Sequence, residues 1–325
     1  MSFPLSRIPT CLTLEPIPDE SLTSYVFRLA HHRQLSSAYA QWADCGFQNP
    51  TNQPPQKVMD ALAISASMDV GRLMAISYGP PDRVGAVVLG HRVGQSVLER
   101  RGGSERRICP ACLSESAHHR AMWDLRYVAV CPVHQCFLVD MCPACEKPLK
   151  WVGCDLARCR CGHRLDLEGV EPEHVAPEDV EPTAAVFGLF GDVRFLEEAA
   201  TLRTVRPLSD LKGADLAEFL FRLGLERMGR IRKVFSSEDP GELAWEAHIA
   251  LRHGLEALEP WPDEFHRTLD DMRGRWGRNP RISMLMCAGA VERWLAELPD
   301  GGGQHIREAV ESYRARDAAQ RACKE

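Results

Sequence analysis

No run of apolar residues in this 325-residue chain approaches the roughly 20 needed to cross a bilayer, so a membrane-spanning protein is not expected. Its start, MSFPLSRIPTCLTLEPIPDE, lacks the basic segment and apolar stretch of a secretory signal, which points to a reducing cytoplasm. Thirteen cysteines in that setting favour metal binding over disulfides. A net positive charge is lacking as well: the formal net charge is −6, which argues mildly against a nucleic-acid binder. The deficit is local, because residues 166–200 hold ten acidic residues against one arginine, while the rest of the chain is nearly neutral. Basic clusters stand out at Arg100, Arg101, Arg106 and Arg107, at Arg222, Arg227, Arg230, Arg232 and Lys233, and at Arg273, Arg275, Arg278 and Arg281. Solvated helix faces are the default reading of such clusters, and phosphate contact is the minority one. No sequence period repeats cleanly enough to declare a solenoid.

What is present is mostly helical pattern. The length exceeds what one core usually serves, so two or three small domains are expected. Asp19 can cap a helix whose apolar residues Leu22, Tyr25, Val26 and Leu29 fall at i, i+3, i+4 and i+7. A short element over 36–43 carries Tyr39 and Trp42, and two more are expected over 57–65 and 69–77 with a turn at 65–67. Such a run suits a helix-turn-helix and suits any small helical bundle equally. Residues 81–108, rich in glycine, read as a connector, and residues 168–182, rich in Glu and Pro, as an acidic linker. Beyond it four apolar stripes are expected: Leu216, Phe219, Leu220 and Leu223; Ala244, Ala247, Leu251, Leu255 and Leu258; Phe265, Leu269, Met272 and Trp276; and Ile282, Leu285, Trp294, Leu295 and Leu298. The last helix, 304–321, is highly charged and is expected to fray.

The chemistry lies in 109–167. Cys109-Pro-Ala-Cys112 is followed by Cys131-Pro-Val-His134, and two such knuckles place four donors where they can converge on one zinc ion. Cys142-Pro-Ala-Cys145 with Cys159-Arg-Cys161-Gly162 forms a second set; its C-x-C spacing leaves room for Cys154 or His163 to replace one member. Four ligands per ion leave no corner for water, so both sites read as structural. A thioredoxin-like redox role would put the motif at the start of a helix in a βαβ unit, and the histidine with the two-plus-two spacing favours zinc over an iron–sulfur cluster. The doublets His31-His32 and His118-His119 can touch phosphate or metal, yet a helix surface needs no such role. Trp123 and Tyr127 read as the small core of the first site, and Cys11, Cys45, Cys136, Cys154, Cys287 and Cys323 as buried small hydrophobes or ordinary thiols.

The order of these parts resembles the TniQ/TnsD family of transposition proteins. The resemblance rests on Pro18 to Tyr25 with Arg28-Leu29-Ala30, on Ile108 to Ser116, on Trp123 and Ala129 to His134 with Leu138, on Cys142 to Cys145 and on Cys159 to Gly162. The phrase Gly254-Leu255-Glu256 to Trp261-Pro262-Asp263-Glu264-Phe265, with Leu269 following, is similar to the family's C-terminal region. The resemblance implies a non-enzymatic, bacterial target-selection adaptor. It would join a target-recognising component, either DNA itself or an RNA-guided CRISPR effector such as Cascade, to an AAA+ ATPase regulator of the TnsC/TniB kind, sometimes as a homodimer. It also raises the helix-turn-helix reading for the N-terminal part.

The expected fold is therefore mainly α with small zinc-stabilised β/loop modules. A helix-turn-helix-like domain (1–80) and the connector (81–108) precede tandem zinc fingers (109–167) holding two Zn2+ ions, and the linker (168–182) leads to a C-terminal helical domain (183–325). Arg100, Arg101, Arg106 and Arg107 are the expected nucleic-acid or partner contacts. A zinc-containing DNA-binding transcription regulator is the alternative. A zinc enzyme, with Glu115, Asp140 or Glu146 as base, is a third reading and requires an open coordination position.

Overall fold

Periodic apolar residues in the N-terminal part fold into four short helices around one shared core. The structure, a computed structural model, describes residues 13–79, 85–98, 105–229, 240–275, 280–298 and 302–323. Helix α1 (Leu22–His32), α2 (Ala38–Asp44), α3 (Gln56–Ala66) and α4 (Val70–Ile76) bury Leu22, Tyr25, Val26, Leu29, Trp42, Val58, Leu62, Leu73 and Ile76 together. Several of their ends have a local cause. Ser37 caps α2, Asp69 caps α4 with a 2.8 Å bond from the Gly71 N–H, and α3 ends at Ser67 in the left-handed conformation. Arg33 ties three helices, donating to Gln41 Oε1 (2.9 Å), Ser65 Oγ (3.2 Å) and Ser65 O (2.6 Å).

One cap differs from expectation. Ser21, not Asp19, is the N-cap of α1, its Oγ accepting from the Ser24 N–H at 3.4 Å. Asp19 is drawn away by two side chains of the cysteine region: it accepts from His118 Nε2 at 2.9 Å and pairs with Arg120.

The chain divides into two units, residues 1–91 with 95–176 and residues 177–325 with 92–94. The N-terminal helices and the cysteine region thus share one unit instead of forming two domains. The physical reason is a common apolar seam. Phe27, Ala30 and Ala38 of the helices pack with Trp151 and Leu156, and the Phe27 and Trp151 rings meet edge-on at 5.0 Å. Main-chain bonds from Ser21 N to His119 O (3.1 Å) and from Ala121 N to Asp19 O (2.8 Å) run across the same seam. Within the expected connector, Ala86, Val88, Val97, Leu98 and Ile108 are buried, so its described residues are packed structure.

The second unit is helical. The expected acidic linker ends early: α6 spans Pro177–Leu189, because Pro177 suits the first helical position and Glu178 and Asp179 suit the positive end of the helix dipole. It is followed by α7 (Leu196–Thr204), α8 (Gly213–Arg227), α9 (Pro240–Glu256), α10 (Asp263–Arg275), α11 (Pro280–Glu297) and α12 (Gln304–Ala322). Helix α8 is buried almost all round and lies against α9 at backbone distance: a Cβ on Gly224 would stand 1.7 Å from Ala250 O, and one on Gly254 2.2 Å from Leu220 O. The stripe Leu216, Phe219, Leu220 and Leu223 is buried, as are Ala247, Leu251 and Leu258, then Phe265, Leu269 and Met272, then Trp294, Leu295 and Leu298. Leu255 is half-buried; Trp276 and the side chains of Ala244, Ile282 and Leu285 lie outside the described residues.

The final helix, expected to fray, is packed over 306–317. Ile306, Val310 and Tyr313 are buried, Tyr313 Oη donates to Asp270 at 2.5 Å, and Arg273 pairs with Asp317 at 2.6 Å. Ion pairs within the unit also absorb Arg222 (Glu218 at 2.6 Å, Glu297 at 2.7 Å) and Arg227 (Glu264 at 2.6 Å). Among the described residues no helix is long and apolar enough to cross a membrane.

Candidate metal centres

The first knuckle is a helix start. Cys109 is the N-cap of α5 (Pro110–Glu115), with Pro110 at the first helical position and the Cys109 sulfur accepting from the Cys112 N–H at 3.5 Å. The second knuckle is a hairpin turn. Strands β1 (Val130–Cys131) and β2 (Cys136–Phe137) pair antiparallel with Cys131 opposite Cys136, and Gln135 takes a φ of 49° to close the turn. Bonds between Ile108 and Val139 (3.0 and 2.7 Å) hold the two knuckles side by side.

Cys109, Cys112, Cys131 and His134 therefore converge. The Cys112 and Cys131 sulfurs are 3.6 Å apart, and His134 Nδ1 stands 3.5, 3.3 and 3.5 Å from the sulfurs of Cys109, Cys112 and Cys131. Zinc bonds of about 2.3 Å to sulfur and about 2.0 Å to nitrogen give tetrahedron edges of about 3.8 Å between sulfurs and about 3.5 Å from sulfur to nitrogen. The donor set thus fits a tetrahedral zinc ion. The other ring nitrogen, His134 Nε2, lies 2.9 Å from Glu115 Oε1, so its N–H donates to the carboxylate and the Nδ1 lone pair is left for a metal. Glu115, considered above as a base, is thus the partner of a ligand.

The second cluster is Cys142, Cys145, Cys159 and Cys161, with the Cys142 and Cys161 sulfurs 3.7 Å apart and those of Cys145 and Cys159 3.8 Å apart. Its turns need a left-handed residue after each pair: Glu146 has φ 54° and Gly162 φ 91°. The two residues considered as substitutes are occupied elsewhere. Cys154 Sγ donates to Leu35 O at 3.1 Å and His163 Nε2 to Gly169 O at 2.9 Å. The clusters differ in exposure: the three cysteines of the first are buried, whereas Cys161 of the second is exposed.

The expected phosphate contacts are corrected at two positions. Arg106 and Arg107 are buried, so neither presents its charge to a ligand at the surface. Arg106 donates to Leu156 O (2.8 Å) and Arg158 O (3.2 Å) and lies 5.5 Å over the Trp151 ring; Arg107 donates to Leu125 O (2.9 Å). Burial lowers the Arg106 pKa to about 10. Its role is to hold the loop that delivers Cys159. Arg100 and Arg101 lie outside the described residues, as do Arg230, Arg232, Lys233 and Arg278.

The histidine doublets separate. His31 and His32 are exposed at the end of α1, while His118 and His119 are buried in the seam. His119 meets the rings of Trp123 (5.2 Å) and Trp151 (4.9 Å) edge-on, and its burial, reinforced by the charge of Arg106, holds it neutral with a pKa well below the usual range. Burial alone would raise the Asp19 pKa, but the His118 hydrogen bond and the Arg120 charge outweigh it and bring it to about 2. Trp123 and Tyr127 are buried, as a core around the first cluster requires. Spacing picked out the eight residues that the fold gathers into two clusters able to hold a metal; nothing local in the sequence distinguished Glu115 as the partner of His134 Nε2 or Arg106 as a buried strut.

Residues 11–138 match the TniQ family, a family of non-catalytic proteins of transposition. The matched span ends just after the first cluster, so the resemblance noted for Cys142 to Gly162 and for the region from Gly254 onward lies beyond it. Comparison with curated proteins gave no match.

Proposed function

From the premise that residues 11–138 are a TniQ family domain, we propose that this protein is a target-selection adaptor in DNA transposition, joining a target-recognising component to an AAA+ ATPase regulator. Both clusters have four protein donors, so each zinc ion would clamp two knuckles and keep no corner for substrate. Cys109, Cys112, Cys131 and His134 hold one ion in this reading; Cys142, Cys145, Cys159 and Cys161 hold the other. The observation that carries the proposal is the packing of the N-terminal helices against the cysteine region in one unit, which makes a docking platform.

Target recognition through a partner, such as an RNA-guided effector, is favoured over autonomous DNA binding. The exposed charges of α3, α4 and their turn are Lys57 and Arg72 against Asp60 and Asp69, and Arg72 is already paired with Glu15. Such a balanced face neutralises few phosphates.

The test is retention of the AAA+ regulator of the same element on immobilised full-length protein, with ATP present. Stoichiometric retention is expected, and its absence with and without nucleotide would sink the proposal. A parallel salt titration with duplex DNA should show weak binding. Tight, sequence-specific binding by the isolated chain would instead favour the transcription-regulator reading.

A further inference from the structure

The first cluster contains one thiol more than a tetrahedron needs. Cys136 is fully buried, and its sulfur lies 3.7 Å from that of Cys109, which is the length of a sulfur–sulfur edge in a zinc tetrahedron. Its direction is fixed by the backbone. Cys136 is the cross-strand partner of the ligand Cys131, and directly opposed residues of an antiparallel pair send their side chains to the same face. The far side of β2 is held too, with Cys136 bridged to His174 and Phe137 N bonded to Glu173 O at 2.9 Å. A core cysteine without a role in the site could point anywhere in the apolar interior; this one touches a ligand sulfur.

We infer that Cys136 is a standby ligand for the corner held by Cys109, an inference that rests on the reading of this cluster as a zinc site. In the loaded site the Cys109 sulfur is a thiolate and carries no proton. Cys136 S–H must then be the donor in their contact, adding to the N–H of Cys112 on the same sulfur. If Cys109 is removed, Cys136 loses its proton to solvent and its sulfur enters the vacated corner with Cys112, Cys131 and His134. Among the described cysteines no other spare thiol contacts a ligand sulfur, so the rescue is confined to one corner: Cys154, the nearest alternative in sequence, donates to Leu35 O.

The experiment counts metal by elemental analysis in the purified full-length chain and follows the sulfur-to-metal charge-transfer absorption of the cobalt(II)-substituted protein. The parent chain should hold two ions. Cys109→Ala should also hold two, with the absorption unchanged because seven Co–S bonds remain, whereas Cys112→Ala and Cys131→Ala should each fall to one. Cys136→Ala alone should keep two, and the double variant Cys109→Ala with Cys136→Ala should fall to one. Cys109→Ser, which retains a hydroxyl to cap α5, guards against loss of the helix start and should also hold two. Loss of the first ion from both single Cys109 variants overturns the inference, as does retention of two ions in the double variant. A parent chain that binds fewer than two ions would instead remove the zinc reading itself, and the inference with it.

Discussion

Replacing Glu115 by alanine should weaken the first metal site and leave the second untouched. The His134 ring binds metal through Nδ1 only in the tautomer that keeps its proton on Nε2, and the Glu115 carboxylate 2.9 Å away favours that tautomer and fixes the ring plane. Losing such an outer partner costs about 10- to 100-fold in metal affinity. Glu115 is 59% exposed, so water screens the pair and takes over part of its role. The lower end is therefore expected, about tenfold or ~1.4 kcal/mol. Metal binding is linked to folding, so at fixed excess free zinc the same amount should be lost from the stability of the unit. Glu115→Gln keeps an oxygen that can accept from Nε2 and should lose less. The assay is competition with a chromophoric chelator: one of the two ions should be released at about tenfold lower chelator concentration than in the parent chain. Equal weakening of both ions, or no change in either, would refute the account of His134.

Two further outcomes follow from packing and protonation. Gly254→Ala adds a Cβ 2.2 Å from Leu220 O, a main-chain atom that cannot swing aside; overpacking of this kind costs about 1–3 kcal/mol and outweighs the gain of up to about 1 kcal/mol in helix propensity. The variant should melt several degrees lower, and an unchanged melting temperature would contradict the close approach of α8 and α9. His119 is held neutral in the folded state, so its contribution is fully present above the unfolded value of about 6.5 and is lost as the pH falls below it, because only the unfolded chain takes up the proton. At saturating zinc, His119→Phe should flatten the fall in denaturant-measured stability between pH 6.5 and 5 relative to the parent; identical slopes would rule the buried histidine out as its cause.

How much of this was readable from sequence depended on whether the determining contacts were local. The period of Leu22, Tyr25, Val26 and Leu29 sufficed for α1, and knuckle spacing sufficed for the membership of the two clusters, because each helix turn and each knuckle is set within a few residues. The cap of α1 was not readable: Asp19 and Ser21 are both good cap residues, and the choice is made by His118 and Arg120, about a hundred residues away. Arg106 and Arg107 looked like solvated charge because the carbonyls that bury them come from Leu156, Arg158 and Leu125. The Glu- and Pro-rich composition of 168–182 suited a linker and the first turn of a helix equally, and what settled the matter was burial of Asp179, Val180, Pro182 and Thr183. The separation of Cys154 from the second cluster likewise turned on Leu35, in another part of the unit.

The same long-range contacts decide how far the influence of the metals reaches. A structural zinc ion contributes on the order of 10 kcal/mol to modules of this size, comparable with the whole stability of a small domain. Had the N-terminal helices formed a separate domain, that energy would stop at the cysteine region. They share Trp151 and Leu156 with Phe27, Ala30 and Ala38, and the main chain at Ser21 and Asp19 is bonded to His119 and Ala121. Stripping both ions from the full-length chain with a chelator should therefore speed amide exchange in α1, which contains no ligand, as well as in the knuckles. In α12, where Tyr313 and Asp317 are held by Asp270 and Arg273 of α10, exchange should stay slow. If α1 kept its full protection after both ions were removed, the shared seam would be too weak to couple the helices to the metals, and a docking platform would be the wrong description of this unit.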